Sequence, residues 1–253
     1  MTPGWLTARP IAHRGLHDAA AGRLENTLPA ALAAAERGFS IEVDLQLSAD
    51  GEAMVFHDDT LDRLAAASGP LKAFDAATLG GLALKGTDAR IPTLAALLSA
   101  VAGRVPLVLE LKTDWSRHPG EALVARVAQE LAGYAGPAAL MSFDPDIVAE
   151  VRRVVPERPR GITADRAVHR ADYPGRSPVE RFAFRHLLHA PRTRPDFVAY
   201  DVDALPMPGP ALLRRLFGRP LLAWTVRTPR QRERAAALAD QMIFEGFDPD
   251  RGA

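Results

Sequence analysis

Residues 41–47 alternate strictly between apolar and polar positions. Ile41, Val43, Leu45 and Leu47 fall on one side, and Glu42, Asp44 and Gln46 on the other. Side chains two apart share a face of a strand, so the pattern predicts a β-strand with two carboxylates pointing the same way, roughly 6.6 Å apart. Upstream, a short apolar run over 9–12 ends in His13-Arg14-Gly15, the polar close expected of a strand that feeds a functional loop. An alanine-rich stretch over 27–37 predicts a helix, with Asn26 or Thr27 as its cap and Gly38 as its stop. Downstream, Asp50-Gly51 signals a hairpin turn, and a second strand over 52–56 ends in His57-Asp58.

Residues 59–90 lack sustained periodicity and are broken by Gly69-Pro70, Gly80-Gly81 and Gly86, so they predict a small inserted cap. A helix is expected from Pro92 or Thr93 to about Ala102. From there strand and helix patterns alternate. Strands are expected over 106–111, 138–142, 159–163, 197–200, 221–226 and 241–244. Helices are expected over 121–132, 145–155, 178–188, 209–217 and 229–239. Alternating β and α units imply a parallel sheet. Their number predicts a (β/α)8 TIM barrel with a small insertion after the second barrel strand region, in one catalytic domain over 1–253 with 59–90 as its cap. A doubly wound open sheet is the alternative, but no glycine-rich phosphate loop follows the first strand.

Composition narrows the function. The 253 residues carry 31 basic and 31 acidic side chains, so no net field favours nucleic acid. The absence of cysteine removes disulfides, thiolate metal sites and cysteine nucleophiles. The first nine residues lack an apolar core of signal-peptide length, and no apolar run approaches a membrane span; the expectation is a cytoplasmic protein without stable membrane insertion. The oligomeric state is not specified.

In a barrel, catalytic groups lie at the C-terminal ends of the strands. His13, Arg14, Glu42, Asp44 and His57 fall there, and the strand over 106–111 adds Glu110 and, just beyond it, Lys112 on one face. Three carboxylates suit Mg²⁺ or Ca²⁺, Arg and Lys suit a phosphate, and two histidines suit acid–base work. No Gly-x-Ser-x-Gly elbow is present for acyl transfer. Phe143, at a strand end, and Trp224, within the strand over 221–226, are candidate pocket-lining groups. His17, His118, His169, His186 and His189 fit no such pattern and read as surface groups.

The ordered set His13-Arg14-Gly15, Glu25-Asn26-Thr27, Glu42-Val43-Asp44, the run from His57 to Arg63, Ile91-Pro92-Thr93-Leu94 and Glu110-Leu111-Lys112 resembles the glycerophosphodiester phosphodiesterases over nearly the whole chain. The resemblance implies a divalent cation held by Glu42, Asp44 and Glu110, catalytic histidines at His13 and His57, and phosphate contacts from Arg14 and Lys112. It implies hydrolysis of a small-molecule glycerophosphodiester to glycerol 3-phosphate and an alcohol. His13 is assigned as base and His57 as acid; water or the glycerol's own neighbouring hydroxyl could be the nucleophile. The chain departs from the pattern near its end. Phe244-Glu245 stands where Thr-Asp or Thr-Asn is usual, and Arg227 follows Trp224-Thr225-Val226 where Asn is frequent. The rival readings are a phospholipase D-type enzyme acting on lysophospholipids or sphingomyelin, and a non-catalytic phosphodiester binder, which would need no pair of histidines.

Overall fold

The computed structural model describes residues 2–115 and 120–251; His118 lies outside the described residues. The strands are β1 (Ile11–Ala12), β2 (Ser40–Leu47), β3 (Ala53–Val55), β4 (Leu107–Leu111), β5 (Ala138–Ser142), β6 (Arg160–Ala164), β7 (Phe197–Asp201), β8 (Leu221–Val226) and β9 (Gln241–Phe244). The helices are α1 (Trp5–Ala8), α2 (Leu28–Glu36), α3 (Ala76–Gly81), α4 (Leu94–Val101), α5 (Glu121–Ala132), α6 (Pro145–Val154), α7 (Pro178–Arg185), α8 (Ala190–Thr193), α9 (Pro208–Phe217) and α10 (Pro229–Leu238). The strand order β1-β9-β8-β7-β6-β5-β4-β2-β3, with β1 also paired to β2, is that of the expected (β/α)8 barrel. Eight strands make the ring, and β3 is an added antiparallel partner of β2.

Internal contacts divide the chain into two compact units. One comprises residues 12–112 and 121–138; the other comprises the described residues of 1–11, 113–120 and 139–253.

In the first unit, β2 runs parallel to β4 in a register that sets Asp44 opposite Glu110 and Glu42 opposite Val108. Ile41, Val43 and Leu45 are buried as the alternation requires, but Glu42 and Asp44 are buried too, at 2% exposure each. The helices start at side-chain caps. Thr27 accepts from the Ala30 amide at α2, and Thr93 from the Ala96 amide at α4, removing one orphan donor at each N-terminus. Residues 59–90 are more ordered than their irregular pattern suggests. Leu61, Ala65, Leu71, Leu79 and Leu84 bury themselves against Met54 and Phe56 of the β3 segment. That small core uses a 3₁₀ turn (Leu71–Ala73), the short α3 and isolated bridges. No regular period was available for a sequence reading to detect, and Gly80-Gly81 ends α3 instead of excluding it.

In the second unit, β6, β7, β8 and β9 pair in parallel, with an irregularity between Ala223 and Val226. Phe197, Val198, Ala199, Leu221, Leu222 and Ala223 are fully or nearly fully buried. These strands are apolar almost throughout, as expected of strands covered on both faces. The short helices α1 and α8 have no counterpart in the predicted pattern.

Candidate active site

Seven of the nine predicted site residues belong to the first unit, and its backbone explains why they meet. After β1 the chain turns through Arg14 (φ 56°) and Gly15 (φ 81°). A Cβ on Gly15 would lie 2.8 Å from the Ala30 backbone, so glycine is needed both for the left-handed geometry and for the approach to α2. The turn aims two amides at β2. Arg14 N–H donates to Glu42 Oε2 at 2.9 Å, and Gly15 N–H to the Glu42 carbonyl at 3.2 Å. Arg14 itself holds a left-handed conformation that costs a non-glycine residue about 1–3 kcal/mol.

Glu42, Asp44 and Glu110 are all buried, and one carboxylate oxygen from each lies within 4.8 Å of the others. Three like charges in so small a space oppose one another. Burial, then Asp44 and Glu110, raises the Glu42 pKa well above the usual carboxylate range. Burial also raises that of Glu110, against the pull of Lys112. Burial pushes Asp44 the same way, but Lys112, His57, Arg14 and the Asn26 amide overcome it, so Asp44 keeps a depressed pKa and its charge. The donor set is all oxygen and anionic. Its span is that of ligands around one cation at about 2.0–2.6 Å, so these residues fit Mg²⁺ or Ca²⁺.

The cationic groups flank this trio. Arg14 Nε lies 3.4 Å from Asp44 Oδ2, and its Nη1 donates to Glu25 Oε1 at 2.6 Å. Lys112 Nζ lies 3.3 Å from Glu110 Oε1 and 3.6 Å from Asp44 Oδ1. Both keep raised pKa values because the neighbouring carboxylates outweigh burial. His13 approaches the trio through Nε2, 3.9 Å from Glu42 Oε2.

His57 arrives differently from the expected strand end. It follows β3, which runs antiparallel to β2. The hairpin extends away from Asp44 and then returns, so that Phe56 N–H donates to the Asp44 carbonyl at 3.0 Å. His57 Nδ1 meets Asp58 Oδ1 at 2.8 Å, which leaves Nε2 as the working nitrogen. Burial lowers the His57 pKa, with Lys112 and Arg14 adding to it and Asp44 and Asp58 opposing.

Four positioning residues were not legible as such. Of the two candidate caps, Asn26 and Thr27, Thr27 does the capping. Asn26 instead donates Nδ2 to Asp44 Oδ2 at 2.9 Å and accepts from the Asp44 amide at 3.2 Å. Glu25 joins Arg14 to Arg63, whose Nη1 and Nη2 donate to it at 3.0 and 2.7 Å. Arg63 also grips Asp58 through Nε at 2.6 Å and Nη2 at 2.9 Å. The fourth is Gln46, which donates to the carbonyls of Phe56, His57 and Asp58. The signal for Gln46 was its place on the carboxylate face of β2. The bond from Arg63 to Glu25 offered none, because it joins segments 38 positions apart.

Phe143 and Trp224 belong to the second unit, after β5 and within β8. They meet edge to face, with ring centroids 5.4 Å apart and planes at 86°. The Trp224 indole nitrogen is buried without a hydrogen-bond partner among the described residues. The two departures from the family pattern pair with each other, since Arg227 Nε donates to Glu245 Oε1. Among the described histidines read as surface groups, His169 is exposed, but His17, His186 and His189 are half-buried; His189 lies beside Thr193 and Phe184, and burial lowers its pKa to about 4.

Comparison with known proteins places this site in context. YhdW of Bacillus subtilis (strain 168), provisionally assigned as a glycerophosphodiester phosphodiesterase, is 36% identical over 132 residues, which are 49% of this chain and 51% of YhdW. The match therefore spans about half the length of that relative. Among solved structures, an Oleispira antarctica phosphodiesterase in complex with the product sn-glycerol-3-phosphate superposes with a TM-score of 0.75 at 22% identity, covering 94% of this chain and 92% of the other. The glycerophosphodiester phosphodiesterase of Thermotoga maritima gives 0.68 at 23%, covering 93% and 94%. At these identities the likeness is one of fold. The profile of the glycerophosphoryl diester phosphodiesterase family matches residues 13–250, from the first histidine of the site almost to the end of the chain. The chain belongs to the glycerophosphoryl diester phosphodiesterase family.

Proposed function

We propose that this protein hydrolyses glycerophosphodiesters to glycerol 3-phosphate and an alcohol, with a divalent cation held by Glu42, Asp44 and Glu110. The observation that carries the reading is a buried trio of carboxylates flanked by Arg14 and Lys112 and approached by His13 and His57. The family match and the glycerol 3-phosphate seen in the Oleispira antarctica protein support the choice of substrate. When bound, the cation supplies Lewis-acid stabilisation of phosphoryl charge.

The remaining work falls to side chains of this protein. Arg14 presents a planar fork of donors and Lys112 a point charge to the phosphoryl oxygens. Glu25 and Asp44 hold the Arg14 guanidinium in place. His13 takes the proton of the nucleophile, either water or the glycerol's neighbouring hydroxyl, whose cyclic phosphate a water must then open, and His57 delivers one through Nε2 to the leaving alcohol. Asp58 at Nδ1 supports that role, because it holds the ring and stabilises its protonated form. Phe143 and Trp224 are assigned to the alcohol moiety, with the unpartnered Trp224 N–H as a donor to it. Residues 59–90 are assigned as the cap, since Arg63 reaches from them to Asp58 and Glu25.

The test is direct. The protein is incubated with Mg²⁺, Ca²⁺ or Mn²⁺ and a panel of glycerophosphodiesters, and glycerol 3-phosphate is measured. Release that depends on the cation and stops reversibly with a chelator is expected. Full activity in excess EDTA, or binding without release, would overturn the proposal.

A further inference from the structure

We infer that the excursion between β6 and β7, residues 165–196, is a docking surface for an anionic lipid membrane. Four large apolar side chains stand out of it: Val168 at 56% exposure, Val179 at 77%, Phe182 at 57% and Leu188 at 59%. Val179 and Phe182 are three apart on α7 and so share a face. Arg181 Nη1 donates to the carbonyls of Ala167 and Val168, at 3.2 Å each, which brings Val168 alongside that helix.

The same segment concentrates positive charge. It holds seven arginines, at 166, 170, 176, 181, 185, 192 and 194, against four acids, in a chain whose formal charge is zero. Two of the acids are engaged within the segment. Asp165 accepts from the Tyr173 hydroxyl at 2.7 Å, and Glu180 closes the capping box of α7 while meeting Arg176. Arg170 and Arg181 make no ion pair among the described residues. Together with Arg176 they line a cleft of about 290 Å³ beside Gly175, Ser177 and Pro178. Arg176 is held there by Glu180 and the Trp115 carbonyl, and Arg181 by the Ala167 and Val168 carbonyls, so the exposed Arg170 is the guanidinium placed to meet an anionic headgroup.

Apolar side chains set among arginines are the pattern of a surface that rests in the lipid interface. The apolar groups enter the headgroup–acyl boundary, and the guanidinium groups meet anionic headgroups. A second copy of the chain suits the patch poorly, because a two-fold contact would set arginine against arginine. A soluble anion would account for the cleft and leave Val179 and Phe182 unexplained. None of these residues has a role in the proposed hydrolysis.

The experiment is co-sedimentation of the full chain with phosphatidylglycerol-rich vesicles and with pure phosphatidylcholine vesicles, at low and high salt. Wild-type protein is expected to sediment with the anionic vesicles, less so as salt rises, and to stay in solution with phosphatidylcholine. Arg170→Glu reverses a charge, so partition should weaken by about tenfold or more. Val179→Asp with Phe182→Asp should weaken it comparably. All three positions are exposed, so melting temperature and hydrolysis of a soluble glycerophosphodiester should match wild type. That activity reading separates failure of the membrane proposal from failure of the proposed hydrolysis. Absence of wild-type sedimentation, equal sedimentation with phosphatidylcholine, or wild-type behaviour of the variants would overturn the inference. So would two other results. One is a dimer that Val179→Asp dissociates without vesicles, and the other is release from vesicles by inorganic phosphate with no effect of the apolar substitutions.

Discussion

The side-chain amide of Gln46 donates to the backbone carbonyl of His57 at 3.0 Å, and the same nitrogen reaches the carbonyls of Phe56 and Asp58 at 3.0 and 2.9 Å. One polar residue of β2 thus fixes the chain that carries the histidine of the returning hairpin. Gln46→Ala should leave carbonyls without a donor, at about 1–3 kcal/mol for a lost buried partner. Because the loss falls on the orientation of His57, kcat should drop while KM changes little. Thermal melts and steady-state kinetics on a glycerophosphodiester check both parts.

Glu42 is held neutral-leaning by burial and by Asp44 and Glu110. A carboxyl group whose folded pKa is raised binds more protons folded than unfolded, so stability falls as pH rises through that folded pKa. Protein stripped of divalent ions should therefore melt at lower temperature at pH 8 than at pH 5, just above the unfolded carboxylate pKa of about 4.3, and Glu42→Gln should flatten that slope. Adding Mg²⁺ or Ca²⁺ should raise the melting temperature of the stripped protein at pH 8. It should also release protons that calorimetry in buffers of different ionisation enthalpy detects, because the cation and the proton compete for the same oxygens. Glu42→Gln and Glu110→Gln should each abolish cation-dependent turnover with the fold intact by circular dichroism.

Arg63 bridges Glu25 and Asp58, and its hydrogen bonds lower the pKa of both against the effect of burial. For a carboxylate with a depressed folded pKa, the stabilisation is present above the unfolded pKa, about 4, and is lost as pH falls through the folded value. Arg63 is 47% exposed on its side chain, so solvent screens the pairs and the gain is about 1 kcal/mol or less. Arg63→Ala should melt below wild type near neutral pH, and the difference should close below about pH 4. Chemical denaturation across that range measures it.

The two histidines differ in what they require of the leaving group. A nitrophenolate needs little protonation, whereas an alkoxide needs a full proton, and acid or base assistance contributes about 10²- to 10⁴-fold in rate. His57→Ala should lose far more rate with glycerophosphocholine than with a nitrophenyl phosphodiester of glycerol, and His13→Ala comparable factors with both. Asp58→Asn, which removes the carboxylate from His57 Nδ1, should follow the pattern of His57→Ala in weaker form. Rescue of His13→Ala by the good leaving group would exchange the roles.

What the chain alone determined was local or periodic. Alternation over 41–47 encodes both a strand and the shared face of Glu42 and Asp44, because the side-chain period of a strand is two. The β/α alternation carries the barrel, since parallel strands need a helical crossover. The identities of the metal-ligand candidates, Arg14, Lys112 and the two histidines were visible because each sits beside the end of such an element. Tertiary structure alone decided how these groups are held. That Asn26 serves Asp44 instead of α2, that Arg63 reaches Glu25, and that Arg227 meets Glu245 are contacts across 18, 38 and 18 positions. Hydrogen bonds of that kind leave no period in the sequence. The reversal that carries His57 was legible in the Asp50-Gly51 turn, but only the β2–β3 register tells how far back along β2 the returning chain comes. The core of residues 59–90 was hidden for the same reason: its leucines converge from irregular turns, where burial depends on where the chain folds back and not on spacing.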